Sequence, residues 1–299
     1  MRHLALILLA CGLAGCAEGY RDSIRRLSPL PAERAGSGIG IFGVIDVAGP
    51  TVAGLPVIVD DTVHISLDGA TATLDQAQPG MVAMVEAREA PRGILADAVV
   101  LRSEVSGPVG AIDAATSELV ILGQTVRVTA ATIQDGRIPT FASIQPRQWL
   151  RVSGLREPGG SIVATRLDRR ESGTAVVRGM AADVIGSAFR IGPLLVEGAG
   201  LPRDLADGRG VLVVGTPTAD GLRSARVALD PLEPFGGRLP RVVVEGYTSP
   251  AGAAGQLVVG TFRFAVPPDT PPLEGARVIA DAQSDAGSYI ADTLTPAAN

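Results

Sequence analysis

Few residues in this sequence are equipped for chemistry, and their spacing narrows the choice further. The only histidines are His3 and His64, lysine is absent, and the two cysteines are Cys11 and Cys16. A Schiff-base lysine, a phosphate-loop lysine and a zinc site built on paired histidines are thereby excluded. His64 lies in Asp60-Asp61-Thr62-Val63-His64-Ile65, which brings one imidazole and two carboxylates close in sequence. Such a trio could ligate a cation or act as an acid–base pair, yet no second histidine completes a site, and an exposed strand residue is the plainer reading. A serine triad would have to use His64. The Gly-x-Ser-x-Gly elbow is missing, and Ala35-Gly36-Ser37-Gly38 only approaches it. Gly36-Ser37-Gly38-Ile39-Gly40 lacks the strand–helix–strand setting that a dinucleotide loop needs. We expect no catalytic residue, no metal and no cofactor.

Two further sets deserve weighing. Asp46, Asp113 and Asp183 fall at nearly equivalent places after short apolar strands, where an Asp caps a turn through its own backbone. Trp149-Leu150-Arg151-Val152 alternates so that Leu150 and Val152 face inward and Trp149 and Arg151 face the other way. A tryptophan beside an arginine on an outer face is a platform for stacking a sugar or docking a partner, or else it packs against a neighbouring part of the chain.

The N-terminus bears on where such a platform would act. Met1-Arg2-His3 precedes the apolar run Leu4 to Leu13, which has the length of a signal-peptide core rather than of a bilayer-spanning helix. The run ends in Leu13-Ala14-Gly15-Cys16, which resembles the bacterial lipoprotein box. The resemblance implies that residues 1–15 are removed and that Cys16 is acylated. It also implies an anchor of two or three acyl chains, each stabilised by about 0.8 kcal/mol per buried methylene. Ala17 after the cysteine implies onward export to the outer membrane, facing the periplasm. Residues 16–37, polar and broken by Pro29 and Pro31, read as a tether. Processing leaves 25 arginines against 31 carboxylates, so the chain lacks the basic footprint of a nucleic-acid binder.

The remaining chain is periodic. Gly43, Gly110, Gly179 and Gly246 each lie in a short apolar strand; Gly54, Gly123, Gly192 and Gly260 each open an alternating one. Both series keep a spacing of 67–69 residues. A third landmark runs through Pro79-Gly80-Met81-Val82, Arg147-Gln148-Trp149-Leu150, Gly208-Arg209-Gly210-Val211 and Gly275-Ala276-Arg277-Val278. A fourth follows at Gly93, Gly160, Gly221 and Gly287. These landmarks predict repeats at 38–103, 104–171, 172–232 and 239–296. Short strands with period two, separated by glycine turns, and a single helical turn near Thr73 to Gln78 suit an all-β chain of four small barrels of the oligonucleotide/oligosaccharide-binding type. A composition of 37 Gly, 22 Pro and 3% aromatics agrees with that class. The segment 230–240, with three prolines and two adjacent glycines, reads as a hinge.

The order of landmarks, best kept by Gly110-Ala111-Ile112-Asp113 and Trp149-Leu150-Arg151-Val152-Ser153-Gly154, resembles the bacterial family called domain of unknown function 5666. That resemblance implies tandem copies behind a secretory or lipoprotein signal and brings no activity with it. Three functions remain as expectations. The first is a non-catalytic, lipid-anchored envelope protein whose barrels form a binding or scaffolding array for an envelope protein or glycan. The second is a module for a glycan or small anion, and the third a hydrolase working through paired carboxylates. Nucleic acid is not expected as a partner.

Overall fold

The computed structural model describes residues 38–46, 51–232, 234–235, 237–251, 255–267, 270 and 273–297. The expected signal segment, with Leu13, Ala14, Gly15 and Cys16, and the expected tether lie outside the described residues. The described chain is all-β. The helical turn expected near Thr73 is a single 3-10 turn, Leu74–Gln76, with a counterpart at Phe141–Ser143.

Strands close into small barrels. In the first, β1 (Gly38–Val44), β2 (Thr51–Val52), β3 (Leu55–Ile58), β6 (Val82–Ala90) and β7 (Gly93–Arg102) form a ring; β4 (His64–Leu67) and β5 (Ala70–Thr71) make a side hairpin on β7. Strand β1 pairs with β6, β6 with β7, β7 in parallel with β3, and β3 with β2, which returns to β1 through an Ile45–Val52 bridge. The same circuit is drawn by β8 (Val105–Asp113), β9 (Glu118–Ile121), β10 (Gln124–Arg127), β12 (Trp149–Arg156) and β13 (Ile162–Arg169), with β11 (Ile133–Gln134) added beside β13. It is drawn again by β14 (Ala175–Ile185), β15 (Ala188–Ile191), β16 (Leu194–Glu197), β17 (Gly210–Pro217) and β18 (Leu222–Leu229). The last circuit is β19 (Arg241–Pro250), β20 (Gln256–Val259), β21 (Phe262–Ala265), β22 (Arg277–Asp285) and β23 (Ser288–Pro296).

One bulge recurs in every ring, after Glu86, Ser153, Val214 and Asp281, each the fifth residue of its strand. A bulge bends and twists a strand, and placing it at one position lets so short a sheet curl shut. The alternation read from the sequence matches the packing: Leu150 and Val152 are fully buried in the second barrel.

Pairing between barrels does not follow chain order. Strand β1 runs parallel to β19, with Ile39 opposite Arg241 and Phe42 opposite Val244, which joins the first barrel to the last. Strand β8 pairs with β14 through Val105 and Ser106, which joins the second to the third. The pairs are nested. They are clasped by a buried ionic cluster centred on Arg178, which is 4% exposed. Its guanidinium meets Asp68 at 3.1 Å and Asp230 at 2.9 Å, and its Nε donates to the Ser103 carbonyl. Arg102 makes a two-pronged pair with Asp230, at 3.0 and 2.7 Å. Burial opposes the charge on Asp230, but Arg178 and Arg102 outweigh it and hold its carboxyl below the ordinary range.

The segment 230–240 is therefore no hinge. Asp230 belongs to the clasp, and Phe235 is fully buried, with its ring 5.8 Å from that of Phe262 in the core of the last barrel. A Cβ at Gly40 would fall 2.6 Å from the Phe235 ring, so the connector is pressed onto β1 as well. Proline and glycine content suggested freedom, whereas a carboxylate at Asp230 and an aromatic side chain at Phe235 are both fastened.

Candidate functional site

Trp149 begins β12 at the end of the second barrel, half-buried, with part of its ring against that barrel's core. Two hollows meet at it. One, of about 250 Å³, is lined by Ser106, Arg137, Trp149, Arg169, Arg170 and the run Glu171 to Thr174. The other, of about 340 Å³, is lined by Ser143, the run Gln145 to Gln148, Trp149, Arg169, Arg170 and Glu171.

The loops around them are tied down by backbone bonds. Arg170 N–H donates to the Trp149 carbonyl at 2.9 Å, which fixes the strand end beside the indole. Asp135 organises the next loop: it accepts from the Arg137 and Arg169 N–H groups at 2.7 Å each and from the Arg137 guanidinium at 3.0 Å. Arg137 also donates to the Arg169 carbonyl. Partial burial would raise the Asp135 pKa, but these donors prevail and hold it below the usual carboxylate value. The same pairing raises the Arg137 pKa. Arg147, Arg169 and Arg170 are exposed, and among the described residues their guanidiniums make no ion pair. In a chain of net charge −5, this is a local concentration of positive charge around one indole.

Arg147 is held in a backbone conformation foreign to its type, with φ at +66°. It is the third residue of the tight turn Gln145 to Gln148, closed by a bond from Gln148 N–H to the Gln145 carbonyl at 3.1 Å. Its own N–H donates to Val109 at 2.7 Å. The corresponding turns place Gly80, Gly208 and Gly275 at this point, with φ of +83°, +79° and +69° and N–H bonds to Ile45, Ala181 and Thr248. A turn that demands positive φ selects glycine. An arginine there is strained, and strain of this kind concentrates where function requires a side chain.

Arg151, expected beside Trp149, does not share its open surface. Its side chain is 16% exposed and lies 3.6 Å from Asp168, which Arg166 also holds at 2.7 Å. Burial lowers the Arg151 pKa, with Asp168 acting against that shift. Arg166 donates to the Pro79 carbonyl and Thr165 to that of Gly80, so this face of the second barrel is packed on the first. His64 is exposed at the start of β4. Asp60 accepts from the Thr62 hydroxyl at 2.6 Å and N–H at 2.9 Å, which lowers its pKa, and Asp61 is exposed. Asp113 caps its own turn through Ala115 N–H at 2.9 Å; Asp183 is exposed with φ at +52°, and Asp46 is exposed just past β1. Among the described residues no group of three or more His, Cys, Asp or Glu is arranged to hold a metal ion.

Sequence reasoning missed Arg137, Arg147, Arg169 and Arg170. For Arg147 a signal exists in the repeat itself, where it replaces a glycine. Arg137, Arg169 and Arg170 come from other segments, and only the barrel's closure brings them to Trp149.

Residues 106–168 match the family model described as Domain of unknown function (DUF5666). The second barrel is thus a DUF5666-like domain, and the match includes Arg137, Arg147 and Trp149. No curated protein matches the chain.

Proposed function

We propose that this chain is a non-catalytic binding protein of the cell envelope, held by a lipid on Cys16 and facing the periplasm from the outer membrane. Its clasped barrels act as a rigid scaffold that presents one anion-binding face around Trp149. The observation that carries the binding reading is the convergence of Arg147, Arg169 and Arg170, without ion pairs among the described residues, on hollows that share an indole. Unpaired guanidiniums retain their full capacity for two-pronged recognition of carboxylate, phosphate or sulfate. The anchor rests on Leu13-Ala14-Gly15-Cys16 after an apolar run.

The hydrolase reading has less to stand on. Among the described residues Glu171 is the one carboxylate lining either hollow, and glycoside hydrolysis needs two carboxyl groups roughly 5–9.5 Å apart. The anchor is tested by labelling with palmitate: label should enter the wild type and be lost in Cys16→Ser, and label retained by the variant contradicts it. The binding face is tested by retention on immobilised polygalacturonate or heparin, released by salt. Passage through both resins at low ionic strength contradicts it.

A further inference from the structure

The two hollows are small and contiguous, and both features bear on what fills them. At about 250 and 340 Å³, one lies just below and the other just above the lower end of the roughly 300–1,000 Å³ that small-molecule sites span. Each has room for one compact unit. Because Trp149, Arg169, Arg170 and Glu171 line both, a ligand that fills them is a short chain whose consecutive units pass the indole.

The chemistry of the walls defines the units. The arginines call for negative charge. Trp149 offers an apolar body with an N–H at its tip, which suits the C–H face and hydroxyls of a sugar ring. Ser172 and Thr174 in one hollow, and Gln145 and Gln148 in the other, are hydrogen-bonding groups of the kind that sugar hydroxyls pair with. A polyphosphate would accept hydrogen bonds from the arginines and from these donors as well, but it presents no C–H face to the indole. A single-stranded nucleic acid stacks successive bases on successive aromatic side chains, and among the described residues Trp149 is the only aromatic one lining either hollow.

Building on the anion-binding reading above, we propose that this face binds an acidic oligosaccharide, with two consecutive sugar units lodged in the two hollows against Trp149. Arg147 meets one unit from a turn whose three counterparts carry glycine, and Arg169 and Arg170 serve both.

Trp149 is the only tryptophan in the chain, so its emission reports on the site alone. The full chain is titrated at low salt with galacturonate, with its dimer and tetramer, and with a heparin tetrasaccharide, maltotetraose and linear polyphosphate. At least one acidic series should shift the emission saturably, and the galacturonate dimer should bind at least tenfold more tightly than the monomer if that series responds. Maltotetraose and polyphosphate should be at least tenfold weaker than the best acidic glycan, and Arg147→Gly or the exposed pair Arg169→Ala/Arg170→Ala should weaken it at least tenfold. Equal affinity for monomer and dimer, or for polyphosphate and glycan, overturns the two-sugar proposal and leaves the anion-binding face standing. No arginine-dependent response to any acidic probe overturns both.

Discussion

Arg147 occupies a conformation that costs a non-glycine residue about 1–3 kcal/mol. Replacing it with glycine, as Gly80, Gly208 and Gly275 do in the matching turns, removes the strain and gives back part of the gain through the entropy of the unfolded chain. Arg147→Gly should therefore be more stable than wild type by about 1 kcal/mol, while it binds acidic ligand less well. A denaturant midpoint measured beside a binding isotherm checks both halves; a destabilised variant would show that Arg147 is held by contacts rather than strained. The residue scale is where the sequence says least. Trp149 stands out on sight because it is unique, and its alternation with Leu150 is readable. Arg151 obeys the same alternation, yet it is half-buried against Asp168, since alternation tells which side of the strand a residue takes and not whether another barrel covers that side.

At the scale of elements, the connector after the third barrel makes the sharpest claim. Phe235 is an aromatic side chain buried between Gly40 and Phe262, and truncating such a residue costs about 3–5 kcal/mol. Phe235→Ala should lower the urea midpoint accordingly; an unchanged midpoint would restore the hinge. The clasp makes a second claim. Asp230→Asn leaves a buried guanidinium with Asp68 in place of two carboxylates, and breaking a buried ion pair in this way costs about 3–5 kcal/mol. The pH dependence has a definite sign. The folded pKa of Asp230 is lowered from the 3.8 of a free carboxyl, so its contribution is complete above that value and is lost as pH falls through the folded pKa. Acid unfolding followed by circular dichroism should show wild type losing stability below about pH 4. Asp230→Asn should lack that share of the loss, and identical acid profiles would remove Asp230 from the clasp.

At the scale of the molecule, strands and their order are legible because glycine landmarks recur at one spacing and short alternating runs lie between them. The nesting is not. That β1 meets β19 and β8 meets β14 depends on surfaces far apart in sequence, and no local pattern encodes it. Shared seams and the Arg178 clasp should make the barrels unfold together. Scanning calorimetry should give one main transition, and separate transitions would mean that the barrels are independent beads. Such rigidity would hold the Trp149 face in a fixed orientation relative to the other barrels. Whether that face binds is decided most directly by the Trp149 emission of wild type and of Arg169→Ala/Arg170→Ala during titration at low salt with the galacturonate tetramer and with a heparin tetrasaccharide. A saturable shift is expected in wild type with at least one of the two, and at least tenfold weaker binding in the variant. The same curve for both proteins, or flat curves with both ligands in wild type, would contradict the binding face.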